Sequence, residues 1–267
     1  MAKSAGITGN AGSGGAETFP LELVFPDGPG AVSFPETDEA ASLSFPRRFR
    51  LSLGRERAEL LDLDSPKDGA LFVDFAGGKL LHRVKYGGGR SQGVAKAVFS
   101  RMEPPHVFDA TAGLGRDSFV LAWLGCTVEM FERNPVVRIL LRDGLRRAAE
   151  SGLLPWINER MILRDERTIT ELPDGVLCDV VYLDPMYPAD GRQKKAEVKK
   201  DMRIFHSLVG RDSDQGMLLG KALRVASRRV SVKRPKGAPF LDGEKPDNMI
   251  ELPGSRFDLY LPGEKRI

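Results

Sequence analysis

Short apolar runs alternate with longer amphipathic segments along residues 92–267, and this pattern predicts strands alternating with helices. Such alternation is typical of right-handed βαβ crossovers, which build a mostly parallel sheet with helices on both faces. The predicted strands are His106–Ala110, Thr127–Glu132, Met161–Leu163, Asp179–Leu183, Arg229–Lys233 and Arg256–Leu261. The predicted helices are Gln92–Met102, Asp117–Leu124, Pro135–Glu150, Lys194–Val209 and Gln215–Ala226. We therefore expect an α/β domain over residues 92–267.

Residues 19–91 follow a different pattern, which predicts a small β-rich unit built from hairpins. Its apolar runs are separated by turn signals such as Pro-Asp-Gly and are Leu21–Phe25, Phe49–Leu53 and Ala70–Phe75. A basic, glycine-rich linker that contains Gly87, Gly88 and Gly89 marks the boundary with the α/β domain. Residues 1–18 are rich in Gly, Ala and Ser and lack the apolar segment of a secretory signal, so we expect a disordered tail.

A glycine turn follows the first strand of the α/β domain and opens the next helix, within residues 109–117. In open α/β sheets, ligands bind outside the carboxyl ends of the strands. Gly113 and Gly115 allow the backbone to approach a ligand closely, and Asp109 ends the strand before them. Glu132 ends the following strand, where an acid can accept both hydroxyls of a ribose. The pattern favours a nucleotide-like cofactor, the alternative being an ordinary turn with a capping aspartate.

The residues after the glycine turn indicate which nucleotide would bind. Dinucleotide sites need a third glycine, where this chain has Ser118. Asp117 lies in the first helical turn, where an acid would repel a pyrophosphate but would suit an ammonium group. S-adenosylmethionine carries an adenosine, a sulfonium and an amino acid end without phosphate, so the turn favours it over a nicotinamide cofactor.

A second strand ends at Asp184, followed by Pro185, Met186 and Tyr187. The exocyclic amine of a nucleobase is a poor nucleophile, because its lone pair is delocalised into the ring. A carboxylate and a backbone carbonyl can hold its N–H groups, a proline can make that turn rigid, and an aromatic ring can stack on the base. This combination predicts a site that positions an amine for methylation. The alternative is a strand-ending turn with a core tyrosine.

The net charge is only +3, but the basic residues are unevenly distributed. Residues 75–102 and 216–240 contain Lys and Arg and no acid, and a further basic cluster lies within 192–203. Three such runs favour a polyanionic partner, although any one of them is compatible with a solvated surface. Cys126 and Cys178 belong to no zinc-binding motif, so we expect no metal and a cytoplasmic setting. No apolar stretch approaches the length of a membrane span, and we expect no membrane partner.

Beyond these motifs, the chain resembles the ribosomal RNA small subunit methyltransferase J family of bacteria. The resemblance covers most of residues 75–260 in the same order, whereas the N-terminal 70 residues match poorly. The matching stretches are His82–Arg90, Val94–Val98, Asp109–Asp117, Glu132–Val137, Val181–Pro188, Met202–Gly210, Val232–Pro235 and Arg256–Asp258.

The resemblance implies a class I S-adenosylmethionine-dependent methyltransferase with a Rossmann-like, mostly parallel, seven-stranded sheet. It implies methyl transfer to the 2-amino group of a guanosine in small-subunit rRNA, in the cytoplasm. Catalysis would fall on Asp184, Pro185 and Tyr187, the last in place of a phenylalanine common in the family. The cofactor would contact Arg116, Asp117, Glu132, Arg133, Arg167, Thr168 and Asp184, in addition to Asp109, Gly113 and Gly115. Arg167 departs from the small hydroxylated residue usual there, so Asp165 is an alternative.

The basic runs would meet the RNA or a ribosomal particle. The residues that we expect to contact it are Arg83, Lys85, Arg90, Lys199, Arg203, Lys233 and Arg234. The segment 82–90 could instead be an interdomain linker with solvated charges. Three other functions stay open: methylation of another amine, such as adenine or a protein amide, RNA binding by an inactive methyltransferase fold, and nicotinamide-dependent oxidoreduction.

Overall fold

The structure is a computed structural model, and it describes residues 17–99, 103–186, 200–209 and 215–263. Several predicted features therefore lie outside the described residues. These are most of the N-terminal tail, the end of the helix predicted to reach Met102, residues 194–199 of another predicted helix, and the site residues Tyr187 and Lys199.

A seven-stranded, mostly parallel sheet forms the centre of the fold. Its strands are β6 (His106–Asp109), β7 (Thr127–Met130), β8 (Met161–Leu163), β9 (Cys178–Leu183), β10 (Ala226–Pro235), β11 (Asn248–Leu252) and β12 (Ser255–Tyr260). Their order across the sheet is β11-β12-β10-β9-β6-β7-β8. Strands β10, β9, β6, β7 and β8 run parallel to one another, and β12 runs antiparallel to both β10 and β11. The α/β class predicted from the alternating pattern is confirmed.

Helices follow the strands as the βαβ pattern requires. They are α3 (Gly93–Val98), α4 (Arg116–Trp123), α5 (Pro135–Glu150), α6 (Ile157–Arg160), α7 (Lys200–Val209) and α8 (Gln215–Val225). Helix α5 begins where the sequence predicts: Pro135 occupies its first turn, and the Asn134 side chain accepts hydrogen bonds from the backbone N–H groups of Val136 and Val137.

Successive strand residues point to opposite faces of the sheet, and each face is covered by its own apolar core. Val107 and Val180 belong to one core, which includes buried residues of α3, α4 and α5. Phe108 and Val181 belong to the other, which includes buried residues of α8. The two cores cover the faces of the sheet, so the carboxyl ends of the strands remain uncovered at one edge of the domain.

The N-terminal residues form a small strand unit. It contains β1 (Phe19–Pro20), β2 (Glu22–Val24), α1 (Thr37–Ala41), β3 (Ser44–Phe45), β4 (Phe49–Leu53) and β5 (Ala58–Asp62). Strand β4 pairs antiparallel with β5 but parallel with β2, so the unit is not built from hairpins alone. One apolar core contains buried residues from both sides of residue 92. The division into two domains at that residue therefore stays a prediction.

The prediction of a strand at Ala70–Phe75 is wrong. Only Leu71 forms a bridge there, with Leu60 of the hairpin strand β5. Strand β5 was not predicted because its sequence, Ala-Glu-Leu-Leu-Asp, is rich in residues that favour helices.

The glycine-rich linker predicted around residues 82–90 is largely a helix, α2 (Gly78–Tyr86). Leu80, Leu81 and Val84 recur at helical spacing and face the core, with Val84 buried. Gly77 precedes the helix and Gly87 follows it. These flanking glycines concealed the helical pattern in the sequence.

In the parts of the chain that the structure describes, we found no helix long and apolar enough to cross a membrane.

Candidate functional site

The carboxyl ends of β9, β6, β7 and β8 lie side by side at one edge of the sheet, and a cavity of about 150 Å³ opens there. Its lining includes Thr111, Glu132, Arg133, Arg167, Thr168, Asp184, Met186 and Phe205. The sequence predicted five of these as cofactor contacts, and they come from three different strand ends. The topology of the sheet thus brings residues more than 70 positions apart into one cavity.

The glycine turn after β6 contributes Ala110 and Thr111 to the lining of the cavity, whereas Gly113 and Gly115 are not part of that lining. Gly113 and Gly115 have φ values of +53° and +70°, a left-handed conformation that side chains disfavour. A Cβ atom on Gly113 would lie 3.0 Å from the Phe205 ring of α7, and one on Gly115 would lie 2.8 Å from Leu141. Both positions therefore need glycine for conformation and for space.

Glu132 follows β7, is buried and lines the cavity. Its Oε2 accepts a hydrogen bond from the Gly113 N–H at 3.0 Å, and its Oε1 accepts one from the Asn134 N–H at 2.8 Å. Burial raises the pKa of Glu132, and these N–H groups oppose the rise. The Arg133 backbone N–H also interacts with this carboxylate. Since the two oxygens of a carboxylate offer about four acceptor positions, Glu132 keeps capacity to accept from a ligand hydroxyl.

Asp109 ends the strand before the glycine turn; its side chain is buried and is not part of the cavity lining. It accepts a short hydrogen bond from the Ser118 hydroxyl and another from the Thr111 N–H at 3.2 Å. Burial raises the pKa of Asp109 to about 7, despite these bonds. Asp109, which the sequence assigned to the cofactor, therefore holds the backbone around the cavity.

Asp117, in the first turn of α4, is the centre of a polar network. One of its carboxylate oxygens accepts from Arg83 of α2 at 2.9 Å. The other accepts from the Tyr182 hydroxyl at 2.8 Å and from the Lys233 ammonium at 3.1 Å. Burial opposes ionisation of Asp117, but Lys233 and Arg83 keep its pKa below the ordinary value. The network joins α2, α4, β9 and β10.

Asp184, directly after β9, shares Lys233 with Asp117. The Lys233 ammonium lies 2.7 Å from Asp184 Oδ2, and the Asp184 backbone N–H donates to the Thr111 hydroxyl at 2.7 Å. The Asp184 side chain is 40% exposed at the cavity, and the following Pro185 is buried. The low-polarity surroundings raise the pKa of Asp184, while Lys233 opposes that rise. Asp184 is thus an accessible carboxylate with one fixed cation.

Arg167 and Thr168, two further predicted cofactor residues, also line the cavity. Arg167 forms an ion pair with Glu39 of α1 and donates to the Arg133 carbonyl at 3.4 Å. Thr168 caps the short helical turn that follows. Arg116 is exposed at the start of α4 and is not among the residues that line the cavity.

The predicted RNA-contacting residues do not share one surface. Arg83 and Lys233 belong to the Asp117 network, and Arg234 is buried and donates to the Pro239 carbonyl. Arg203 forms an ion pair with Asp68.

Lys85 and Arg90 are exposed, and the Arg90 guanidinium lies over the Phe99 ring, with its carbon 4.5 Å from the ring centroid.

The sequence patterns did not single out three residues that complete the site: Tyr182, Thr111 and Phe205. For Tyr182 a signal was available, since it precedes Asp184 by two positions and therefore shares a strand face with it. For Phe205 there was none, because its contact with the glycine turn depends on how α7 packs. Within the described ranges, no group of three or more His, Cys, Asp or Glu side chains could hold a metal ion.

Comparisons with known proteins agree with this geometry. Residues 41–262 match the model of a family described as "Putative SAM-dependent methyltransferase". Proteins named ribosomal RNA small subunit methyltransferase J are similar over most of their length. The one from Vibrio vulnificus CMCP6 is 51% identical over 222 residues, 80% of this chain and 86% of that protein. The one from Shewanella loihica is 55% identical over 201 residues, 74% of this chain and 77% of that protein.

A crystal structure of a SAM-dependent methyltransferase from Neisseria gonorrhoeae has a similar fold. The TM-score is 0.68 at 32% identity, and the match covers 91% of this chain and 96% of that one.

Proposed function

The chain belongs to the ribosomal RNA small subunit methyltransferase J family, and we propose that it transfers a methyl group from S-adenosylmethionine to the 2-amino group of a guanosine in small-subunit rRNA. It is an S-adenosylmethionine-dependent enzyme by family and fold. The rRNA substrate is what the names of its relatives state. The guanosine and its 2-amino group come from the resemblance described above, and the cytoplasm is where such a substrate is made in bacteria.

The residues around the cavity fit S-adenosylmethionine. Glu132 offers a buried carboxylate at the end of β7, held by backbone N–H groups, with acceptor capacity left for a ribose hydroxyl. Asp184 adds a second carboxylate to the lining, and the Arg167 side chain is paired with Glu39. Arg133 also lines the cavity. A pyrophosphate is disfavoured by the acid in the first turn of α4, Asp117, together with Ser118 in place of a third glycine.

The observation that carries the proposal is the position of Asp184. It is a partly exposed carboxylate that lines the cavity, at the same sheet edge as Glu132, and its backbone N–H donates to the Thr111 hydroxyl. S-adenosylmethionine supplies an electrophilic methyl group. Asp184 accepts a hydrogen bond from the amine of the base and thereby turns the nitrogen lone pair towards the cavity. As the new N–C bond forms, the S–C bond of the donor would break and S-adenosylhomocysteine would leave. The cationic amine would then lose its proton to water, so strong base catalysis by Asp184 is not required.

Pro185 and Tyr187 complete the proposed amine site. Pro185 is buried and restricts the backbone after Asp184, which fixes the direction of the adjoining carbonyl. Tyr187 lies outside the described residues; we assign it, from the sequence, to stacking on the guanine ring.

Methyl transfer to rRNA tests the proposal directly. The protein is incubated with isotopically labelled S-adenosylmethionine and small-subunit rRNA or subunits that lack the modification, and the RNA is digested and mapped by mass spectrometry. We expect label in one guanosine, at its 2-amino group. Label in adenosine or in a ribosomal protein would identify another amine as the substrate and would contradict the proposal.

Asp184→Ala should abolish the transfer, because the amine loses its acceptor. Asp174→Ala is the matched control: Asp174 is a fully exposed carboxylate whose nearest cation, Lys221, is 3.7 Å away. Near-normal turnover by Asp184→Ala would remove Asp184 from the mechanism.

A further inference from the structure

Helix α2 presents an exposed face next to the candidate site. Its residues Lys79, His82, Lys85 and Tyr86 are all exposed, and we call this face the α2 platform. Tyr86 is 74% exposed, the most exposed of the large apolar and aromatic side chains in the described ranges. A single exposed aromatic ring is common on protein surfaces, so its neighbours decide what it can bind.

The Tyr86 ring does not stand alone. The His82 ring packs against it, with centroids 4.8 Å apart and an angle of 44° between the ring planes. A pair of neighbouring rings on one helix face restricts the orientation of both. A ring held in this way loses little conformational entropy when it stacks on a planar ligand.

The charged side chains of α2 itself are all basic. Residues 75–102 contain no Asp or Glu, and Lys79 and Lys85 stand on the same exposed face as Tyr86. Exposed rings interleaved with lysines are the combination that single-stranded nucleic acids require: bases stack on the rings and phosphates pair with the ammonium groups. An acidic protein surface would pair with the lysines, but its carboxylates would not offer the rings a planar group for stacking.

The buried side of α2 ties the platform to the site. Arg83 donates to Asp117 at 2.9 Å and to the Gln92 side chain at 2.9 Å, while Val84 packs in the core. Asp117 in turn shares Lys233 with Asp184. The helix that carries the platform is therefore fixed to the network that includes the proposed amine acceptor.

We propose that the α2 platform binds a single-stranded segment of the rRNA that flanks the target guanosine. Tyr86, braced by His82, stacks on a base, and Lys79 and Lys85 neutralise the phosphates on either side. This inference rests on the proposed function, since it names the surface that would hold the same substrate.

The binding test uses a fluorescein-labelled single-stranded RNA of mixed sequence and fluorescence anisotropy. Tyr86→Ala should weaken binding by on the order of tenfold, and Tyr86→Phe should bind almost as wild type, because it keeps the stacking ring. Lys85→Gln should reduce the slope of log Kd against log salt concentration by about 0.7, the value for one phosphate contact on a single strand.

Leu177→Ala is the matched control, because Leu177 is also a large exposed side chain but precedes β9, at the opposite edge of the sheet. It should bind RNA as wild type. Affinity for S-adenosylmethionine, measured by calorimetry, should be unchanged in Tyr86→Ala and Lys85→Gln, which shows that these proteins are folded and that the loss concerns RNA.

Wild-type Kd and salt slope in both Tyr86→Ala and Lys85→Gln would overturn the inference. So would variants that bind the oligonucleotide normally but methylate assembled subunits poorly, because the platform would then meet a ribosomal protein. Neither result would contradict the proposed function. That function is contradicted by a different result, namely that the wild-type protein labels no guanosine in rRNA.

Discussion

Lys233 stands between two carboxylates, and its position decides how readily Asp184 can accept a hydrogen bond from an amine. The ammonium lies 2.7 Å from Asp184 and 3.1 Å from Asp117, and both acids raise the pKa of Lys233, so it stays charged. It opposes the rise that burial causes in the pKa of Asp184 and still leaves Asp184 oxygen lone pairs for a substrate. We regard Lys233 as a positioning residue that acts through Asp184.

Lys233→Met should move the acid limb of the kcat profile to higher pH. Lys233 lowers the pKa of Asp184, so its loss raises that pKa, and Asp184 becomes protonated at a higher pH than in the wild-type protein. At neutral pH we expect kcat to fall by about tenfold or more, with partial recovery in alkaline buffer. The measurement is methyl transfer to rRNA as a function of pH.

Lys233→Arg should restore most of the activity, since it retains the charge. Lys236→Met is the control for the loss of a lysine, because Lys236 follows β10 and makes only a surface ion pair with Glu251 at 3.7 Å. If Lys233→Met has the wild-type pH profile, the ammonium does not act through Asp184.

Asp109 should make the protein less stable as pH rises. Its pKa increases from 3.8 in the unfolded chain to about 7 in the folded protein, so the folded state binds the proton more tightly. The resulting stabilisation is complete below about pH 4 and is lost as pH rises through about 7, by at most about 4 kcal/mol. Asp109→Asn removes this titration, and its free energy of unfolding should change less than that of wild type between pH 5 and pH 8.

Urea unfolding of both proteins at these two pH values provides the comparison. The difference between wild type and Asp109→Asn isolates Asp109, because the other titrating groups are common to both. Equal changes in the two proteins would show that Asp109 titrates in its ordinary range.

At the scale of elements, the first helix of the N-terminal unit is fastened to α5 by a buried ion cluster. Glu36, immediately before α1, accepts from Arg138 at 3.0 Å and from Arg142 at 2.9 Å. Arg138 is itself buried and donates to the carbonyls of Glu132 and Arg164, which follow β7 and β8. The same guanidinium therefore connects the N-terminal unit to the backbone that forms the cavity.

Glu36→Gln should lower the free energy of unfolding by about 3–5 kcal/mol, because it leaves the Arg138 charge buried without its carboxylate. Asp38→Asn, on the exposed side of the same helix, should change it by less than about 0.5 kcal/mol. Denaturant unfolding measures both. A loss of less than about 1 kcal/mol in Glu36→Gln would mean that Arg138 finds another partner or water.

The elements that could be predicted from sequence were those whose apolar pattern decides the structure locally. Strand β9 and helix α5 have buried faces that follow the expected periods, and both were found where the pattern places them. Helix α2 was hidden by the glycines that flank it, and β5 by residues with helical preference. In both cases long-range packing, rather than local preference, selects the observed structure.

At the scale of the whole molecule, the sequence predicts where the candidate site lies, because the topology of a parallel sheet is nearly fixed. Once strands and helices alternate, the carboxyl ends must share one edge, so Glu132 and Asp184 were expected to meet. The sharing of Lys233 by two acids was not predictable, because it depends on the register between β10 and β9. The basic runs likewise could not show that Arg234 is buried.

The whole fold should respond to the cofactor as one unit, since the cavity draws its walls from several strand ends and from α7. At 100 times its Kd, S-adenosylmethionine or S-adenosylhomocysteine should add about 2.7 kcal/mol to the free energy of unfolding, by binding only the folded state. NAD should add nothing, because the glycine turn has Ser118 in place of the third glycine and the acid Asp117 in the first turn of α4. Thermal unfolding with each ligand measures this, and Glu132→Gln should lose most of the stabilisation as the ribose loses its acceptor. Stabilisation by NAD but not by S-adenosylhomocysteine would exclude the methyl donor from this cavity.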